Sequence, residues 1–139
     1  MGIDIARALR KYADILLSSS LKVRSIVVLG SRARGDWKPW SDTDIVIVAE
    51  NFPEEYGKRL AALHREKTWG IAMEARAYTP NEFIDAIIGL DLTALDAVYE
   101  GKRIFDDGFW EKAKETFRIT KKAYKLKRIK NGWIAKEPL

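Results

Sequence analysis

The 139-residue sequence contains no cysteine, which excludes disulfides and thiolate zinc sites together. Histidine is nearly absent as well. His64 has no second histidine or cysteine beside it to complete a metal site, and it is expected to be a surface or partly buried helix residue without a catalytic role. No apolar run approaches the length of a membrane span, and Asp4 and Arg7 interrupt the N-terminus where a signal peptide would keep an apolar core. A cytoplasmic protein without a membrane partner is the expectation. Internal repeats, low-complexity tracts and linker-like stretches are lacking too, so residues 1–139 are expected to form one domain. With 47% hydrophobic and 32% charged residues, the chain can bury a real core.

What is present centres on residues 25–49. An apolar β-branched run, Ile26-Val27-Val28-Leu29, breaks at Gly30-Ser31. A polar loop follows, and a second β-branched run, Ile45-Val46-Ile47-Val48, is introduced by Asp42-Thr43-Asp44. Side chains two apart on a strand share a face, so Asp42 and Asp44 are expected side by side. Carboxylates this close repel unless a cation lies between them, and hard oxygen ligands on a rigid strand suit Mg²⁺. Gly30 permits close approach to the backbone, while the Ser31 hydroxyl and the turn amides can donate to phosphate oxygens. Phosphate and a divalent metal are thus implied within one hairpin.

Gly30-Ser31, ten intervening residues and then Asp42-Thr43-Asp44 resemble the signature of the DNA polymerase beta nucleotidyltransferase superfamily. The likeness is greatest to its minimal members, the MNT proteins, many of them antitoxins paired with HEPN-domain toxins. Arg32-Ala33-Arg34-Gly35 resembles the basic signature of that group. The resemblance implies an α/β (α+β) fold with a small mixed sheet flanked by helices. It also implies a third acidic residue on the strand that follows the hairpin and its helix. Glu74 occupies that place, where many relatives carry Asp.

The implied chemistry is Mg²⁺-dependent transfer of a nucleoside monophosphate, AMP from ATP, to an acceptor hydroxyl. Asp42, Asp44 and Glu74 would ligate two Mg²⁺ ions and form the catalytic set. Gly30, Ser31, Arg32 and Arg34 would bind the nucleoside triphosphate, the arginines gripping phosphate oxygens through paired hydrogen bonds. The MNT likeness points to a tyrosine of a HEPN toxin as acceptor. A small-molecule or RNA acceptor, and an antitoxin that masks its partner without catalysis, are the alternative functions.

The remainder reads as alternating helices and strands. Apolar spacing predicts helices over 3–18 and 51–67, the second bearing His64. A strand is predicted over 69–79, with Ile71, Met73, Ala75 and Ala77 on one face and Ala72, Glu74, Arg76 and Tyr78 on the other. A mid-strand glutamate needs a partner or a task, the plain structural choice being an ion pair with Arg76. Trp37 and Trp40 suit either a base-stacking wall or anchors that hold the loop. Helices are predicted over 81–88 and 92–99, with a short edge strand over 101–106 between glycines. A long helix is expected over about 109–135, fraying by residues 136–139. Net charge is +5, but ten basic residues against one acid lie between Lys112 and Lys136, leaving fifteen basic and nineteen acidic residues elsewhere. Such a basic helix suits an acidic toxin surface, nucleic acid or plain solvation.

Overall fold

The two β-branched runs pair with each other at the centre of the sheet. A computed structural model describes residues 3–64 and 70–137. β1 (Val23–Leu29) lies antiparallel to β2 (Thr43–Ala49), with Leu29 opposite Asp44. β3 (Met73–Tyr78) adds parallel to β2, and β4 (Lys102–Asp106) adds antiparallel to the other side of β1. The order is β3-β2-β1-β4, a mixed sheet as expected. Ile26, Val27, Val28 and Ile45 to Val48 are fully buried, because helices cover both faces of these strands.

One face carries Ile26, Val28, Ile45, Ile47, Ala75 and Ala77. They pack with α1 (Ile3–Leu17) and α3 (Tyr56–His64), whose Tyr12 and Leu63 are joined by a 2.7 Å hydrogen bond from the phenol to the carbonyl. The opposite face, with Val27, Leu29, Val46 and Val48, lies under α4 (Pro80–Ile88), α5 (Leu92–Glu100) and α6 (Phe109–Tyr124). Period-two alternation therefore sorts the apolar side chains of residues 26–29 and 45–48 into two cores.

The starts of α4, α5 and α6 have local causes. Thr79 accepts from the Glu82 amide while Glu82 accepts from the Thr79 amide, a capping box with Pro80 at the first helical position. Asp91 caps α5 by accepting from the Ala94 amide at 3.1 Å. Asp106 and Asp107 accept from the amides of Trp110 and Phe109, both at 3.1 Å.

Four expectations need correction. The segment after Gly30 is a single helical turn, α2 (Ser31–Arg34), closed by Gly35 at φ 93°. The second helix starts at Tyr56 instead of residue 51, and the strand expected over 69–79 starts only at Met73, residues 70–72 being turn and irregular chain. The helix extension expected over 65–67, Trp69 and the tail at 138–139 lie outside the described residues. The helix expected over 109–135 ends at Tyr124, where Lys125 turns left-handed at φ 50°. A hairpin follows, β5 (Lys127–Ile129) and β6 (Gly132–Ile134), joined at Lys130-Asn131. Beyond Tyr124 the apolar seam of α6 is not continued, since Lys127, Arg128 and Asn131 stand where it would run, and tertiary contacts favour extended chain. The Trp133 indole donates to Asp96 at 2.8 Å, and its ring meets the edges of Tyr99 and Phe117 at 5.1 and 5.7 Å. The basic run is thus divided between a helix and a hairpin.

Candidate active site

The site is built where β1 ends and β2 begins. Gly30 leaves β1 at φ 73°, ψ −153°, a conformation nearly reserved for glycine. A Cβ on Gly30 would lie 2.5 Å from Asp44 Oδ2, so only glycine lets the turn sit against that carboxylate. Ser31 opens α2, in which the Ala33 and Arg34 amides both donate to the Gly30 carbonyl, at 3.1 and 3.0 Å.

Asp42 is exposed just ahead of β2, and Asp44 is half-buried within it. Parallel pairing sets Glu74 of β3 directly opposite Asp44. Desolvation raises the Asp44 pKa above its ordinary value, and the charges of Glu74 and Asp42 raise it further. Arg76 and Arg34 oppose the rise. Three carboxylates and two guanidinium groups therefore share one electrostatic neighbourhood. The donors are hard oxygens that repel one another, which is the chemistry a divalent cation relieves. Among the described residues, however, no three acidic or histidine side chains are drawn together into a finished metal cage. Glu74 is exposed and takes the plain alternative, an ion pair with Arg76 at 3.2 Å.

The two loop arginines separate. Arg32 is buried; its Nη2 donates to the Ser41 carbonyl at 3.0 Å, its guanidinium stacks 4.6 Å from the Trp37 ring, and its Nε finds no partner. It braces the loop that delivers Asp42, and Trp37 anchors the same loop. Arg34 is more exposed, pairing with Glu100 at 2.9 Å and Asp36 at 3.2 Å. Trp40, 80% exposed, makes no wall with Trp37. His64 is exposed at the end of α3. Glu100 and Arg128, which surround Arg34, were not singled out in the sequence. The hairpin that brings Arg128 there turns at Lys130-Asn131, with Gly132 already in β6.

A Gly-Ser turn pressed against an Asp-x-Asp strand, with a third acid on the parallel neighbour, defines a nucleotidyltransferase fold. The chain belongs to the nucleotidyltransferase domain family, whose sequence profile matches residues 9–129. A nucleotidyltransferase-designated protein of Sulfolobus solfataricus, known from its crystal structure, superposes with a TM-score of 0.56 at 20% identity, over 76% of this chain and 83% of that one. Two toxin–antitoxin structures are more distant, each with a TM-score of 0.46. One, solved with AMP-PNP, is 15% identical over 83% of this chain and 82% of that one. The other, a MntA-HpeT mutant, is 14% identical over 81% and 88%. Among curated protein sequences none is significantly similar to this chain.

Proposed function

We propose that the protein transfers a nucleoside monophosphate from a triphosphate, AMP from ATP, to a hydroxyl acceptor, a tyrosine of a HEPN-type toxin. The observation that carries the transfer is the close approach of Gly30 to Asp44, which sets the Gly-Ser turn against a carboxylate whose charge is raised in energy by two others. Family membership supports the same chemistry, since nucleotidyltransferases work with a nucleoside triphosphate and a divalent metal. The toxin acceptor rests on the likeness of Arg32-Ala33-Arg34-Gly35 to the MNT signature.

Asp42 and Asp44 would hold Mg²⁺, with Glu74 joining on substrate binding. When bound, the metal neutralises phosphate charge and favours the ionised acceptor oxygen. The Ser31 hydroxyl and the backbone amides at the start of the turn, Ser31 and Arg32, bind the β- and γ-phosphates. Arg34 adds a guanidinium to the departing pyrophosphate. The acceptor oxygen attacks the α-phosphorus, the bond from that phosphorus to the β-bridging oxygen breaks, and the acceptor proton passes to Glu74. Glu74 is available because its pair with Arg76 is solvent-exposed, a type of contact worth about 0–1 kcal/mol. Arg32 acts at one remove, fixing the loop that delivers Asp42.

The test supplies α-labelled ATP and Mg²⁺ to a lysate of the source cell, with wild-type protein or the Asp42→Asn/Asp44→Asn double variant. Label on a discrete protein band, lost in the double variant, is the expected outcome. Variant-sensitive label on RNA or a small molecule would refute the protein acceptor. No variant-sensitive label with any nucleotide would refute catalysis.

A further inference from the structure

Beside α2 an open cleft of about 630 Å³ is walled by the end of α5 and the C-terminal hairpin. Arg34, Arg128 and Lys130 line it together with three carboxylates, Asp36, Asp96 and Glu100, and Arg34 also pairs with Asp36 at 3.2 Å. It joins the candidate site through Arg34, whose charge acts on Asp44 from one side and whose side chain faces the cleft on the other.

The ion pairs of this cleft are arranged for exchange. Glu100 Oε1 lies 2.9 Å from Arg34 Nη1 and 4.0 Å from Arg128 Nη2, so one carboxylate oxygen serves two guanidinium groups. The nearer contact is made and the farther one is one small movement short of a hydrogen bond. Arg128 is mostly buried, held by the carbonyls of Ile129 and Gly132. Its Nε, 3.5 Å from Asp96, completes no hydrogen bond. Lys130, at the hairpin turn, makes no ion pair among the described residues. An anion that took Arg34 from Glu100 would leave a carboxylate 14% exposed, and Arg128 stands ready to pair it. That second partner removes the penalty that an unpaired, largely buried charge would impose.

We infer that the terminal phosphate of a nucleoside triphosphate seated on the Ser31 turn reaches into the cleft, where Arg34 and Lys130 also hold it, while Glu100 passes from Arg34 to Arg128. This rests on the nucleotidyltransferase reading and adds to it. The C-terminal hairpin becomes part of the donor site and makes the protein discriminate triphosphate from diphosphate. Arg128 is a positioning residue, acting through Glu100.

The experiment measures ATP and ADP binding by titration calorimetry with Mg²⁺ present, alongside the labelled-transfer assay. Wild type is expected to bind ATP at least about tenfold more tightly than ADP, the gain of one charge-assisted phosphate contact. Lys130→Ala, at an exposed turn, should reduce that ratio by roughly three- to tenfold and leave ADP affinity unchanged. Arg128→Ala should reduce it similarly, and adding Glu100→Gln should restore it, because the glutamine leaves no charge to strand. Restoration separates charge exchange from mere loss of fold. If Lys130→Ala and Arg128→Ala keep the wild-type ratio while transfer proceeds, this inference falls and the nucleotidyltransferase reading stands. If wild type binds neither nucleotide, both fall.

Discussion

Replacing Gly30 by alanine separates what the turn does for folding from what it does for transfer. At φ 73°, ψ −153°, an alanine is strained by about 1–3 kcal/mol. Its Cβ would lie 2.5 Å from Asp44 Oδ2, and ordinary carbon–oxygen contact needs roughly 1 Å more. The softest response is withdrawal of the Asp44 carboxylate by about that amount. Misplacement of about 1 Å at a reacting centre costs on the order of 100-fold in rate, equivalent to about 2.7 kcal/mol of barrier. Gly35→Ala is the control, because Gly35 also has positive φ, at 93°, yet nothing lies within 4 Å of its added Cβ. Thermal unfolding should show both variants losing roughly 3–12 °C in Tm. In the labelled-transfer assay at saturating ATP, Gly30→Ala should lose about 100-fold and Gly35→Ala less than about threefold. Equal rates for the two variants would show that the turn's contact with Asp44 is not used in transfer, and would remove the main support for the proposed mechanism.

Asp44→Asn should abolish transfer and raise Tm, since it removes a partly desolvated charge facing Glu74 and Asp42; a lower Tm would mean that the carboxylate supports the fold. Arg59, 6% exposed, pairs with Glu82 at 2.5 Å and links α3 to the start of α4, holding the Glu82 pKa down to about 2. A depressed carboxylate pKa gives stability above its unfolded value, here 4.5, that is lost as pH falls toward about 2. Wild-type Tm should therefore fall across that window more steeply than that of Glu82→Gln, which keeps the lowered carboxylates of Asp106 and Glu115. Because Glu82 is 47% exposed the effect is screened, and at neutral pH Glu82→Gln should cost about 1–3 kcal/mol by urea unfolding. Tyr12→Phe removes a buried hydrogen bond to the Leu63 carbonyl and should cost about 1–2 kcal/mol, read as a lower urea midpoint at unchanged m-value.

The sequence by itself determined the centre of the molecule. Two β-branched runs with alternating faces can bury both sides only as inner strands, and a Gly-Ser break followed by Asp-x-Asp places the turn and two acids at one end of the pair. The site region was legible for that reason, since its first parts are neighbours in sequence and strand periodicity aims them. Glu74 was legible as a polar residue in an apolar strand, but only the parallel register set it opposite Asp44. The fates of Arg32 and Arg34, two residues apart and alike in the sequence, were decided in three dimensions. One found Trp37 and the Ser41 carbonyl, the other Glu100, 66 positions along the chain. Tertiary structure also ended α6 at Tyr124. Local propensity allows a lysine-rich segment to continue as helix, whereas Trp133 gains a hydrogen bond and two ring contacts only when the chain turns back. Period and spacing are local and survive in one dimension; the pairing of charges and the docking of a hairpin depend on which distant groups the fold brings within a few ångströms.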